Sequence, residues 1–292
     1  MLLLIGFSIV LASMIGGFII AGGNPGVLLH LSEFVVIMGI AVGVLVIASP
    51  KNVLMALLAD IRKSFSSKSV SREEFMDLLK LMYEVFMIGR RSGLIALDEH
   101  VSDPPNSSIF QRYPSVLSEP ERISFLCNAL RPIIDGKIKP DQLEDVLDAE
   151  IESREEQATG PVNVINLVGD SLPGIGIVAA VLGIINTMGA ISEGPEAVGY
   201  KVAAALTGTF LGVYLAYGFV NPLSRRIQFN HRAHFLYYNV MAKSISGFAK
   251  GLAPLMAIEI ARRCLDVEIQ PGADELEATL KSLNSGNSAG SQ

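Results

Sequence analysis

Residues 168–191 read VGDSLPGIGIVAAVLGIINTMGAI, and residues 201–222 read KVAAALTGTFLGVYLAYGFVNP. No Asp, Glu, Lys, Arg or His interrupts the first run between Leu172 and Ile191, or the second between Val202 and Val220. Each run is long enough to cross a bilayer, which takes about 20 apolar residues. A proline marks one end of each, Pro173 and Pro222. Small residues recur at helical spacing: Gly176, Ala179, Ala180 and Gly183 on the first, Gly208, Gly212 and Ala216 on the second. Such stripes let helix backbones approach closely in lipid. Their first reading is packing between two membrane helices.

Two more apolar runs precede this pair. Leu2–Ile20 and Val27–Ser49 are separated only by the turn AGGNPG. No basic residue stands before the first run, unlike a secretory signal peptide, so both are expected to be retained as a hairpin. Half of all residues are apolar and only 18% are charged, against roughly 25% in globular domains. The expected fold is an all-α integral membrane protein with four transmembrane helices in two hairpins. Residues 1–49 form the first hairpin and 50–165 a helical cytoplasmic domain. Residues 166–222 form the second hairpin, and 223–292 a C-terminal cytoplasmic helix with a disordered tail, NSGNSAGSQ. Of the 23 Lys and Arg, all but Lys201 lie within 50–160 or after Pro222. The positive-inside rule then puts both long segments and both termini in the cytoplasm, at the inner membrane. A net charge of −6 gives no support for nucleic-acid binding.

In the polar middle, Ser71-x-x-Glu74 is a capping-box signature. The helix it opens carries an apolar stripe from Phe75 through Leu78, Leu79, Met82, Val85, Phe86 and Ile88, with Arg90 and Arg91 in the last turn and Gly93 as its stop. A short piece, LIALDEH, then brings Asp98 and Glu99, and Asp103–Asn106 reads as a loop. Another helix starts near Ser118 and ends at Asp135-Gly136. Pro140 opens a long acidic helix expected to lead into the third span. After Pro222 one amphipathic helix is expected to reach about Asp266.

Chemistry is sparse. Cys127 and Cys264 form no metal spacing and read as small buried hydrophobes. His231 and His234 share a helix face but lack a third ligand; no metal or cofactor is expected. No nucleophile–base pair or phosphate loop suggests an enzyme. Glu33, beside His30, reads as an interfacial or packed carboxylate before it reads as an ion carrier, because charges near helix ends reach the interface. Spans three and four hold nothing that titrates. They offer Thr207, Thr209 and Asn186, with Asp170 and Ser171 at the inner mouth. A proton path here would need a carboxylate from a partner helix, set against the small-residue faces.

Together, GDSLPGIGIVAAVLGI, ALTGTFLGVYLAYGFVNPL, the AGG turn, Arg90 with Leu97-Asp98, and SIFQRYP resemble the MotA/PomA family of flagellar motor stator subunits. The resemblance spans most of the chain. It implies a ring of five such subunits around two copies of MotB, which supplies the ion-binding aspartate. It also implies torque on the rotor protein FliG, and hence motility and chemotaxis. Arg90 matches the family's rotor-contacting arginine, and Asp98 falls at its rotor-contacting glutamate. Glu99 is able to share that role, and Glu150 matches a further acidic position. Pro173 and Pro222 match prolines that shape the ion path, and Thr209 a threonine lining it. Sodium-driven members have a threonine where this chain has Ala180. An alanine offers no oxygen to a hard cation, which favours hydrogen ion transport. The alternative is a proton-channel subunit of the ExbB/TolQ type, which has three spans in a different order.

Overall fold

The computed structural model describes residues 2–28, 30–66, 70–189, 192 and 194–289. The fold is all-helical, and four of its helices are long and apolar enough to span a membrane. The helices are α1 Leu2–Ile20, α2 Leu31–Ala48, α3 Lys51–Phe65, α4 Arg72–Ser92, α5 Asp98–Ser102, α6 Pro114–Leu117, α7 Pro120–Ile134, α8 Pro140–Met188, α9 Pro195–Leu215, α10 Asn221–Ala249, α11 Pro254–Arg263 and α12 Ala273–Ala289. Contacts divide the chain into two compact units. One holds Met1–Lys68 with Gln157–His231, the other Ser69–Glu156 with Arg232–Gln292. The long helices α8 and α10 contribute residues to both.

The first unit is the multi-pass membrane part. Its packing is thin: Ile37 and Ala41 of α2 meet Leu172, Ile175 and Ala179 of α8, with Ala216 beyond α9. A second cluster joins Leu57, Val162, Ile165 and Ile227, so α3 belongs with the spans. None of the residues of α1 is buried. Aromatic contacts and one hydrogen bond tie it down: Phe7 packs on Phe65 and Phe219, and the Tyr214 hydroxyl donates to the Val10 carbonyl at 3.1 Å. Pro222 leaves its mark just upstream. Lacking an N–H and clashing with the carbonyl four residues back, it follows a π-helical turn over Ala216–Val220, in which the Asn221 N–H reaches back to the Ala216 carbonyl. The fourth span starts earlier than its hydropathy suggests, because Pro195 takes the first helical position, where its missing N–H costs nothing.

The second unit has the larger core. Along α4, Phe75, Leu78, Leu79, Met82, Val85 and Phe86 are buried as the stripe predicts, with Ile88 partly so; Leu81 and Glu84 are buried as well. The Ser71 hydroxyl accepts the Glu74 N–H at 3.2 Å. The Glu74 carboxylate turns to Arg122 at 3.3 Å, so the cap works on one side. Gly93, at φ +87°, ends α4 where a side chain would be strained. Phe86 and Phe248 stack with centroids 4.4 Å apart and planes 6° apart. Burying a side chain of this size contributes about 1.5–3 kcal/mol. Burial pushes the Cys127 thiol up to about 11, in keeping with its reading as a small hydrophobe.

Two expectations give way. The helix after Pro222 does not reach Asp266: it stops at Ala249, and a turn through Gly251 leads to α11, which begins at Pro254. Proline cannot supply the N–H that would continue α10. The helix expected near Ser118 is α7, which begins at Pro120 after Glu119, while the Ser118 hydroxyl donates to the Ser115 carbonyl at 2.9 Å. The tail NSGNSAGSQ, expected to be disordered, is helical as far as Ala289, in α12; residues 290–292 lie outside the described residues.

Candidate ion path and charged surface

In the membrane unit, the two small-residue stripes face each other. A Cβ built on Gly176 would lie 2.8 Å from the Gly208 carbonyl oxygen, and one on Gly183 2.8 Å from the Ala205 Cβ. A Cβ on Gly208 would lie 3.2 Å from the Ala180 nitrogen. On Gly212 it would lie 2.5 Å from the Leu172 carbonyl oxygen. Backbone touches backbone along the whole seam. This corrects the expectation that a partner's carboxylate would rest against these faces, because they are already consumed in joining α8 to α9. Ala180 lies within the seam, only 7% exposed.

The other candidate path residues keep surface. Pro173 and Thr209 are half-buried, while Asp170 and Pro222 are exposed. Thr207 is buried, and its hydroxyl donates to its own helix at the Ala203 carbonyl, 3.0 Å. The prolines meet through their neighbours. A Cβ on Gly169 would fall 2.0 Å from Asn221 Oδ1, so the residue before Pro222 rests on the one four residues before Pro173. Pro173 has no N–H to give the Gly169 carbonyl, so this turn of α8, like the one before Pro161, lacks a backbone hydrogen bond. Glu33 is 6% exposed and accepts a hydrogen bond from the Ser32 hydroxyl at 2.7 Å. It is packed against neighbouring residues, in keeping with the packed reading.

His231 and His234 part company. His231 Nε2 lies 3.0 Å from Asp60 Oδ2 in the first unit, and His234 packs edge-on against Tyr238 in the second.

In the second unit, the charged residues gather where α4 ends. Gly89 is closed in by Phe248 and Leu97: a Cβ there would meet Phe248 Cζ at 2.8 Å and Leu97 Cδ1 at 3.1 Å. Arg90 directly follows Gly89, and Asp98 directly follows Leu97, so the two charges flank a single contact. Leu97 and Val101 are buried, one helical turn apart, which turns Asp98 and Glu99 outward. Arg90 is exposed. Asp98 accepts only from Ser102, at 3.2 Å, among the hydrogen bonds of the described residues. Glu150 is different: Arg154 holds it at 2.7 Å. Since Arg154 also lies 5.4 Å over the Tyr238 ring, Glu150 is part of an internal arrangement. Nothing in the sequence around position 150 distinguishes it from the other acidic residues of α8.

Residues 4–93 match the family model described as motility protein A N-terminal, and residues 119–239 match that of the MotA/TolQ/ExbB proton channel family. Motility protein A of Escherichia coli K12 is 32% identical over 97% of this chain and 96% of its own length. Chemotaxis protein LafT of Vibrio parahaemolyticus is 32% identical over 94% of this chain and 97% of its own. The fold is similar to that of C. jejuni MotAB, with a TM-score of 0.76 and 23% identity over 91% of this chain and 95% of that one. It is also similar to that of the flagellar MotAB stator complex of Bacillus subtilis, with a TM-score of 0.74 and 20% identity over 91% and 96%.

Proposed function

This chain belongs to the motility protein A family and is a stator subunit of the flagellar motor, and from that premise we propose how it acts. It works in a multimeric membrane assembly with a MotB-type partner: five copies of this chain surround two of the partner. The assembly sits in the inner membrane, with both termini and the segments 50–165 and 223–292 in the cytoplasm. The partner supplies the titrating aspartate. Its carboxylate travels along the accessible edge of the α8–α9 pair, past Pro173 and Thr209, with Asp170 and Pro222 at the inner mouth. Ala180 stands in the seam beside that edge rather than on it, and the preference for protons over sodium rests on the lack of a hydroxyl where the family resemblance places a threonine in sodium-driven members.

The observation that carries this reading is the uncharged, closed seam. A chain whose third and fourth spans hold no Asp, Glu, Lys, Arg or His between Leu172 and Ile191 or between Val202 and Val220 has no carboxylate or imidazole of its own there to carry a proton. Each elementary charge crossing about 100 mV releases about 2.3 kcal/mol. That energy is delivered to the rotor protein FliG through the charged edge formed by Arg90 and Asp98, with Glu99 beside them. Glu150 contributes less, since Arg154 already occupies it.

Deleting this chain is expected to leave flagella assembled but paralysed, with rotation restored by re-expression. Tethered-cell rotation checks this. Normal rotation without the chain, in a strain with no second stator, would overturn the assignment.

A further inference from the structure

The stretch SSIFQRYPS, Ser107–Ser115, commits most of its polar side chains to neighbouring elements. Ser107 is buried, and its Oγ accepts the N–H groups of Ile109 and Phe110 at 3.3 and 3.4 Å. The same oxygen lies 3.0 Å from His100 Nδ1 on α5. Its hydroxyl hydrogen serves that nitrogen when the imidazole carries its proton on Nε2. At the other end, Arg112 Nη1 lies 2.8 Å from Glu84 Oε1, and the Tyr113 hydroxyl donates to Glu84 Oε2 at 3.1 Å. One turn further, the Ser115 hydroxyl donates to Asp77 Oδ2 at 2.8 Å. Glu84 and Asp77 are seven residues apart on α4, hence on one face. Ile109 and Phe110 point into the core.

Glu84 is 4% exposed. A buried carboxylate costs several kcal/mol unless it is paired, and among the described residues this one takes its ion pair, at Oε1, and its hydrogen bond, at Oε2, from the 107–115 segment. Burial and the Glu84 charge push the Tyr113 hydroxyl well above its ordinary range, so it remains a donor. Meanwhile α5 has only five residues, too few for a helix to hold itself. Leu97 and Val101 anchor its inner side, but apolar contact has no direction. The His100–Ser107 hydrogen bond does.

We propose that Ser107–Ser115 is a positioning brace. It fixes α5, with Asp98 and Glu99, against the end of α4 that carries Arg90, so that these charges meet the rotor in one geometry. The proposal rests on the reading of Arg90 and Asp98 as the rotor contact. Ser107, Arg112 and Glu84 act through those residues and do not touch the rotor.

The test uses the full complex in membranes, with spin labels at Ser92→Cys and Ser102→Cys in a motile Cys127→Ala, Cys264→Ala background. Ser107→Ala and Arg112→Ala are expected to broaden the label–label distance distribution and to slow rotation several-fold. Ser107→Thr and Arg112→Lys are expected to keep the narrow distribution and at least half the speed. If Ser107→Ala does not accumulate in the membrane, Arg112→Ala, at a half-exposed position, decides alone. Unchanged distances overturn the brace. So do broadened distances with normal rotation, provided that reversing Arg90 and Asp98 still stops the motor. If that reversal is itself harmless, the rotor-contact reading has failed, whatever the distances show.

Discussion

Gly212→Ala is expected to abolish rotation and to reduce the amount of assembled stator, although it adds one carbon. The new Cβ would sit 2.5 Å from the Leu172 carbonyl oxygen, 2.8 Å from the Gly176 Cα and 3.0 Å from the Gly176 nitrogen. All three are backbone atoms, so no side chain is able to rotate out of the way. Overpacking of this kind costs about 1–3 kcal/mol. Relief would come only from parting α8 and α9, and the loss therefore falls on the edge of the seam as well as on stability. Gly199→Ala is the control: a Cβ there meets nothing within 4 Å. It should be neutral or slightly stabilising, since alanine favours helix over glycine by about 1 kcal/mol. Membrane levels, thermal unfolding of the purified complex and rotation speed check both variants. Equal behaviour of the two would mean that the seam is looser than described.

The second large effect is expected from Arg90→Glu combined with Asp98→Lys. Both side chains are exposed, so reversing them leaves the core untouched and the protein level and unfolding midpoint unchanged. The electrostatic pattern offered to the rotor is inverted. Rotation should stop, and matching charge reversals on the rotor side should restore part of it. Because salt screens such attraction within about 8 Å at physiological ionic strength, restoration requires direct docking. Normal rotation of the double variant would remove the rotor contact from this edge.

Much of the fold is legible in the sequence because membrane spans announce themselves by length and missing charge. Local punctuation is legible for the same kind of reason: the Ser71 cap, the Gly93 stop and the apolar stripe of α4 each follow from one residue type at one spacing. The break between α10 and α11 was visible in principle at Gly251 and Pro254, but the apolar pattern resumes after them and masks it. The small-residue stripes announce a helix contact but not its partner: spacing shows that a face is smooth, and the packing of Gly176 and Gly183 on Gly208 and Ala205 shows what fills it. The π turn before Pro222 has the proline as its single signal, and a proline alone predicts a kink of unspecified form. Glu84 is the clearest case of what stays hidden. In the sequence it is one more charge within a helix; its role depends on Arg112 and Tyr113, 28 and 29 residues away.

The central claim is that this chain builds the path but does not carry the proton. Proton flux into liposomes tests it most directly. The chain reconstituted alone should conduct no more than empty liposomes, and addition of the MotB-type partner should open a flux that vanishes when the aspartate proposed to titrate is changed to asparagine. Robust flux through the chain alone would contradict the account.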